Sequence, residues 1–124
     1  MSAARVQAAL KALNGFFSQF LPAYAEGCAP DGAALPYITY PLVVPDILGE
    51  ATCTARVWYR ADGYAAAAEV LDAIGAAIGP GRCLPAECGG ALWIYRGSCF
   101  VQFMFTGDAR LKCACVNVKI AAVM

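Results

Sequence analysis

Histidine is missing from this 124-residue chain. With it go the commonest general base and the commonest metal ligand. Charge is also scarce, at 15% of residues, where soluble domains average about a quarter. Nine basic residues balance nine acidic ones, so no global field gathers nucleic acid or an anionic membrane. No apolar run is long and clean enough to span a bilayer, because Glu69 and Asp72 interrupt the longest candidate. Lys11 and Asn14 fall where a signal peptide needs an uninterrupted apolar stretch, which predicts synthesis in the cytoplasm. Gly79-Pro80-Gly81 and Gly89-Gly90 punctuate turns and lack the strand–loop–helix setting of a phosphate cradle. No cofactor is expected.

What the chain has in excess is apolar surface, with 60% hydrophobic residues. At this length the whole chain, 1–124, reads as one domain with a real core. Residues 2–21 read as an amphipathic helix, with Val6, Leu10, Leu13, Phe17, Phe20 and Leu21 at helical spacing. Gln7, Lys11, Asn14 and Ser18 fall on the other side, Ser2 is a candidate N-cap and Pro22 a stop. Residues 36–44 read as a strand, placed at an edge or bulged by Pro41. A second strand, 51–60, turns Cys53, Ala55, Val57 and Tyr59 to one face and Thr52, Thr54, Arg56, Trp58 and Arg60 to the other. Asp62 is the expected cap of a second helix over 64–78, whose core stripe is Ala67, Val70, Leu71, Ile74 and Ile78. Gly79-Pro80-Gly81 ends it.

The segment 92–105 reads as a hairpin turning at Gly97-Ser98. That pairing sets Ile94 against Val101 and Leu92 against Phe103. The opposite face then carries Trp93, Tyr95, Phe100 and Met104, with Gln102 its only polar member. A three-residue turn at 107–109 leads to a last strand, 110–119. It places Phe105 opposite Leu111 and Phe103 opposite Cys113, with Arg110 and Lys112 on the face of Trp93 and Tyr95. Alternation changes phase near Val116, which predicts a bulge there. The fold class is α+β: an antiparallel sheet with two helices packed on one face, in the order α-β-β-α-β-β-β.

Two helices cover one face of a sheet. The second face, rich in Trp, Tyr, Met and Arg, has the composition of an interface centre. The plainer reading of the same residues is a second core layer made by the long loops. The expected interface residues are Arg56, Trp58, Tyr59, Arg60, Trp93, Tyr95, Phe100 and Met104.

Seven cysteines, an odd number without an export signal, read as reduced thiols. Cys99, Cys113 and Cys115 lie in strand-like segments that favour burial. Cys83, Cys88, Cys113 and Cys115 could supply four thiolates to zinc, but their spacings do not match those of zinc knuckles, so no metal is expected. A nucleophilic Cys28, Cys83 or Cys88 would need a neighbour such as Arg82 to lower its pKa. Glu69 and Asp72 share a helix face outside any recognisable cleft. They suit a solvated face, or one half of a salt bridge between subunits, better than acid–base catalysis.

One resemblance spans the chain from Leu35 onward. Leu35-Pro-Tyr-Ile-Thr-Tyr40, then Gly49-Glu50, a strand ending Val57-Trp58-Tyr59-Arg60, an Ala-rich helix, Gly89-Gly-Ala-Leu-Trp-Ile-Tyr-Arg-Gly-Ser98 and Asn117-Val118 follow one another. This order resembles the tail terminator, or tail completion, proteins of long-tailed bacteriophages. The resemblance implies a structural virion protein without enzymatic activity. It would form a homohexameric ring on the head-proximal end of the tail tube, ending tube polymerisation and docking the head connector. DNA would pass its lumen without sequence-specific binding. Head-completion or connector adaptor proteins of the phage neck form rings too and are the nearest alternative. A small cysteine- or zinc-dependent enzyme is the alternative from another class. The many cysteines and the long 28–34 loop depart from the terminator pattern.

Overall fold

A computed structural model of the chain describes residues 2–46, 49–86, 89–104 and 107–123. The elements are α1 (Ser2–Ser18), β1 (Ala23–Ala25), β2 (Tyr37–Tyr40), β3 (Glu50–Arg60), α2 (Tyr64–Ile78), β4 (Arg82–Pro85), β5 (Ala91–Met104) and β6 (Leu111–Val123). The six strands make one sheet in the order β1-β2-β3-β6-β5-β4. β1 runs parallel to β2, and every other pair is antiparallel. The α+β class holds. The expected element order and the all-antiparallel sheet do not, because two short strands join the expected set and the predicted hairpin is a single strand.

Both helices pack on the same sheet face. Leu13, Phe16 and Phe17 of α1 and Leu71, Ile74 and Ile78 of α2 share one core with Ile38, Val57, Val116, Ile120 and Ile94 of the sheet. α1 touches both edge strands, β1 and β4, so the sheet curls around it. Asn14, on the polar side of the helix by sequence, anchors this contact. Its side-chain amide donates to the Tyr40 hydroxyl at 2.5 Å and to the Ala23 carbonyl at 3.4 Å. At the other edge the Arg82 guanidinium lies 5.5 Å from the Phe16 ring centroid. α2 buries the stripe that its spacing predicts, with Val70 half-buried. Asp62 does not cap it. Asp62 lies in a 3₁₀ turn, Gly63 occupies the N-cap position, and no side chain bonds to that end. The other end closes as expected: Gly79, at φ +55°, donates its N–H to the Gly75 carbonyl.

The largest departure from expectation is β5. Gly97-Ser98 does not reverse the chain; both halves of 91–104 pair with the same neighbour, β6. Ile94 faces Ile120 and Val101 faces Val116, with a bulge between Arg96 and Val101. β6 itself keeps an unbroken register against β3. The bulge expected near Val116 in the last strand is therefore absent from β6; the irregularity lies in β5, opposite Asn117.

Asn117 explains why the bulge is stable. Its amide donates to the carbonyl of Cys99 at 2.7 Å, and its side-chain oxygen accepts from Thr54 Oγ1 at 2.9 Å. A bulge leaves backbone groups unpaired, and here a side chain from the central strand meets one of them. Gly97 sits so close that an added Cβ would lie 3.0 Å from the Asn117 carbonyl oxygen. On the helix side, Arg96 donates to the Gly75 carbonyl at 3.0 Å, sharing it with the N–H of Gly79 and tying the bulge to the end of α2. Its guanidinium lies 5.5 Å from the Phe100 ring centroid.

Gly97→Ala is expected to destabilise the fold by about 1–3 kcal/mol, since the new methyl meets fixed backbone. A urea unfolding curve checks this; an unchanged midpoint would mean that the bulge does not need the close approach.

Candidate interaction face

The sheet face opposite the helices is built mainly from β3, β6 and β5. Alternation along β3 turns Thr52, Thr54, Arg56, Trp58 and Arg60 outward, as the sequence predicts. Register then puts Cys115 beside Arg56 and Gln102, and Cys113 beside Trp58 and Met104. Phe103 faces Ala114 instead of Cys113. The expected pairing is thus one residue out, and a slip of one residue exchanges the faces of a strand. Cys113 and Cys115 lie on the outer face, not in the helix-side core. Phe105, expected opposite Leu111, lies outside the described residues.

Cys113 and Cys115 are nonetheless buried. They form the floor of a groove of about 270 Å³ that Arg56, Trp58, Met104 and Leu111 also line. Trp58 is half-buried and donates its indole N–H to Thr39 Oγ1 at 2.9 Å. This bond satisfies the buried Thr39 hydroxyl and fixes the ring across β2 and β3. Arg56 makes a loose ion pair with Glu26 at 3.9 Å. Next to the groove, an open cleft of about 580 Å³ is lined by Leu35, Arg60, Asp62, Asp108 and Arg110. The Arg110 backbone N–H bonds to Asp108 and holds its carboxyl below the usual range.

Trp93 and Tyr95 lie on the same outer face but at its far end. Trp58 stands opposite Cys113 and Trp93 opposite Ala121. These positions are eight residues apart on β6, or about 26 Å. Trp93 is 44% exposed and packs over Gly81, where an added Cβ would come within 2.6 Å of the indole. The Tyr95 hydroxyl bonds to the Glu50 carboxylate, which raises the tyrosine pKa. Lys119 stands 3.6 Å from the same carboxylate. Between the two ends the face is polar, through Thr54 and Asn117.

Two of the expected interface residues lie elsewhere. Tyr59 points to the helix side, as its place in β3 requires, and is buried in edge contact with Phe103. Phe100 sits within the bulge and turns towards Gly75 of α2, not outward beside Met104. Lys112 pairs with Tyr59 and so leaves the face of Trp93 and Tyr95, where the sequence pattern places it. Conversely, Phe103 and Tyr64 pack together on the helix side with centroids 5.4 Å apart, both well exposed. The sequence pattern already puts Phe103 on the core face with Leu92; its contact with Tyr64, at the start of α2, has no local signal because the two are far apart in the chain.

The thiols do not form a reactive or metal-binding cluster among the described residues. Burial pushes the Cys53 thiol up to about 12 and Cys113, beside Cys115, up to about 11. A thiol so shifted stays protonated at neutral pH and is a poor nucleophile. Cys83 lies on β4 opposite Trp93, at the far end of the face from Cys113; Cys88 is outside the described residues. No helix among the described residues is long and apolar enough to cross a membrane.

Comparison of this chain with protein-family models, with curated proteins and with solved structures found no match.

Exposure and burial predict the labelling pattern. A maleimide at pH 8 is expected to modify Cys28, Cys83 and Cys99 in the native protein, while Cys53, Cys113 and Cys115 react only after unfolding. Peptide mass mapping reads this directly, and rapid native labelling of Cys113 would contradict the covered groove.

Proposed function

We propose that this chain is a ring-forming structural protein of the phage tail terminator type. It would sit as a homohexamer at the head-proximal end of the tail tube within the virion. There it would halt tube growth and offer the head connector or adaptor protein a docking surface. DNA would cross the lumen without being read. The observation that carries the proposal is the uncovered sheet face, with Trp93 and Met104 exposed at its two ends and Arg56 and Arg60 around Trp58. A monomer gains nothing by keeping such aromatic and arginine side chains in water, whereas an interface centre is enriched in them.

The open edge of β5 supports the same reading. β4 pairs with β5 only as far as Ile94, so among the described residues 101–104 have β6 as their sole strand neighbour. A free edge is a template for another chain, and closure into a ring removes it. Arg56, Trp58, Arg60, Trp93, Tyr95 and Met104 are the residues proposed to meet neighbouring subunits. Tyr59 and Phe100 act in packing.

The test is the mass of the purified protein by light scattering, alone and with tube subunits. A hexamer, or a monomer that becomes one on tube ends, is the expected result. Trp93→Asp should leave the monomer folded and lose ring formation. A protein that stays monomeric at high concentration and leaves tubes uncapped would sink the proposal. A ring seen by electron microscopy against the portal, and not against the last tube ring, would assign it to the connector adaptors.

A further inference from the structure

The charges of this chain are separated between its two broad surfaces. On the sheet side, Arg56 and Arg60 project outward on either side of Trp58. Arg60 has no ion-pair partner among the described residues, and Arg56 has only the 3.9 Å contact with Glu26. On the opposite side, α2 turns its buried stripe to the core and leaves Glu69 and Asp72 exposed. Neither acid has an ion pair or hydrogen bond among the described residues. Ala65, Ala73 and Ala76 around them are exposed too, so the helix presents a flat wall with two carboxylates near its middle.

We infer that the exposed face of α2 in one copy docks on the Arg56-Trp58-Arg60 row of the next copy. The inference rests on the proposed self-association and names the two surfaces that meet. Charge complementarity chooses the occupant. The chain carries zero net charge, so a second copy brings acidic groups that match the exposed Arg60 and the loosely paired Arg56. Glu69 and Asp72 are three residues apart on the helix, with Cβ atoms about 5–6 Å apart. The two arginine stems flank Trp58 and can close on such a pair from both sides. The small alanines let the helix backbone approach the indole and Met104, which large side chains would hold away. Because the two surfaces lie on opposite sides of the molecule, the contact is heterologous. Each copy repeats it in the same sense, which yields a ring when the rotation closes.

Charge reversal tests this directly, since all four residues are exposed. Arg56→Glu/Arg60→Glu opposes two acidic surfaces, and Glu69→Arg/Asp72→Arg opposes two basic ones. Each double variant should weaken self-association at least tenfold by sedimentation velocity, with the thermal midpoint unchanged. An equimolar mixture of the two should regain assembly, because each variant's helix face then matches the other's sheet face. A quadruple variant should assemble by itself. Should either pair unfold the protein, the corresponding alanine variants give the same single-sided loss. If the wild type assembles and Glu69→Arg/Asp72→Arg assembles equally well, the inference is wrong while the ring reading stands. Failure of the mixture to recover overturns the inference in the same way. A wild type that never associates, alone or with tube subunits, overturns both.

Discussion

Everything in this fold hangs on β6. It is paired along nearly its whole length, with β3 on one side and β5 on the other, and both its faces are covered from Cys113 to Val116. A strand buried on two faces carries little alternation, so its phase must come from its neighbours. β3 supplies it through eleven consecutive pairs. β5 can follow only by discarding residues, and the bulge at 97–100 does so. The Asn117 amide, the close approach at Gly97 and the Arg96 bond to α2 all serve that one adjustment.

This explains which parts of the structure are legible in the sequence. α2 and β3 are, because their periods of 3.6 and 2 are carried by their own residues and need no partner. The bulged strand is not. Gly97-Ser98 satisfies the local rules for a tight turn, and what keeps the chain straight is Asn117, twenty residues further on. Cys113 and Cys115 are misplaced for a separate reason: the three-residue turn expected at 107–109 pairs Phe103 with Cys113, whereas Phe103 pairs with Ala114, and that one-residue difference exchanges the core and solvent faces of β6. β1 has three residues and β4 ends in Pro85, too short or too broken to show a pattern. Asn14 looks like a solvent residue by periodicity, and only the curl of the sheet around α1 gives it a partner in Tyr40.

The candidate face is legible to a similar degree. Strand alternation alone places Arg56, Trp58 and Arg60 outward, and Trp93 and Tyr95 follow from the half of β5 before the bulge. Tyr59 belongs to the same aromatic string, although its own strand phase puts it inward. The bulge takes Phe100 off the face. The separation of Trp58 from Trp93 cannot be read at all, because it depends on the register that sets the two residues against opposite ends of β6. One predicted aromatic patch is therefore two, joined by the polar Thr54–Asn117 bridge.

Such a face suits limited association better than open-ended growth. An uninterrupted, flat β5 edge would invite strand after strand to add, the usual route to aggregation. Here the bulge twists the edge in its middle and leaves only the short stretch from Val101 to Met104 regular beyond it. Backbone pairing across that stretch is too brief to hold a partner by itself, so specificity must come from the side chains beside it. Those are Met104, Trp58 and the arginines, at the same end of the sheet. In the proposed assembly the open edge and the arginine row would act together: one would limit how far a neighbour extends the sheet, and the other would select which surface of the neighbour arrives.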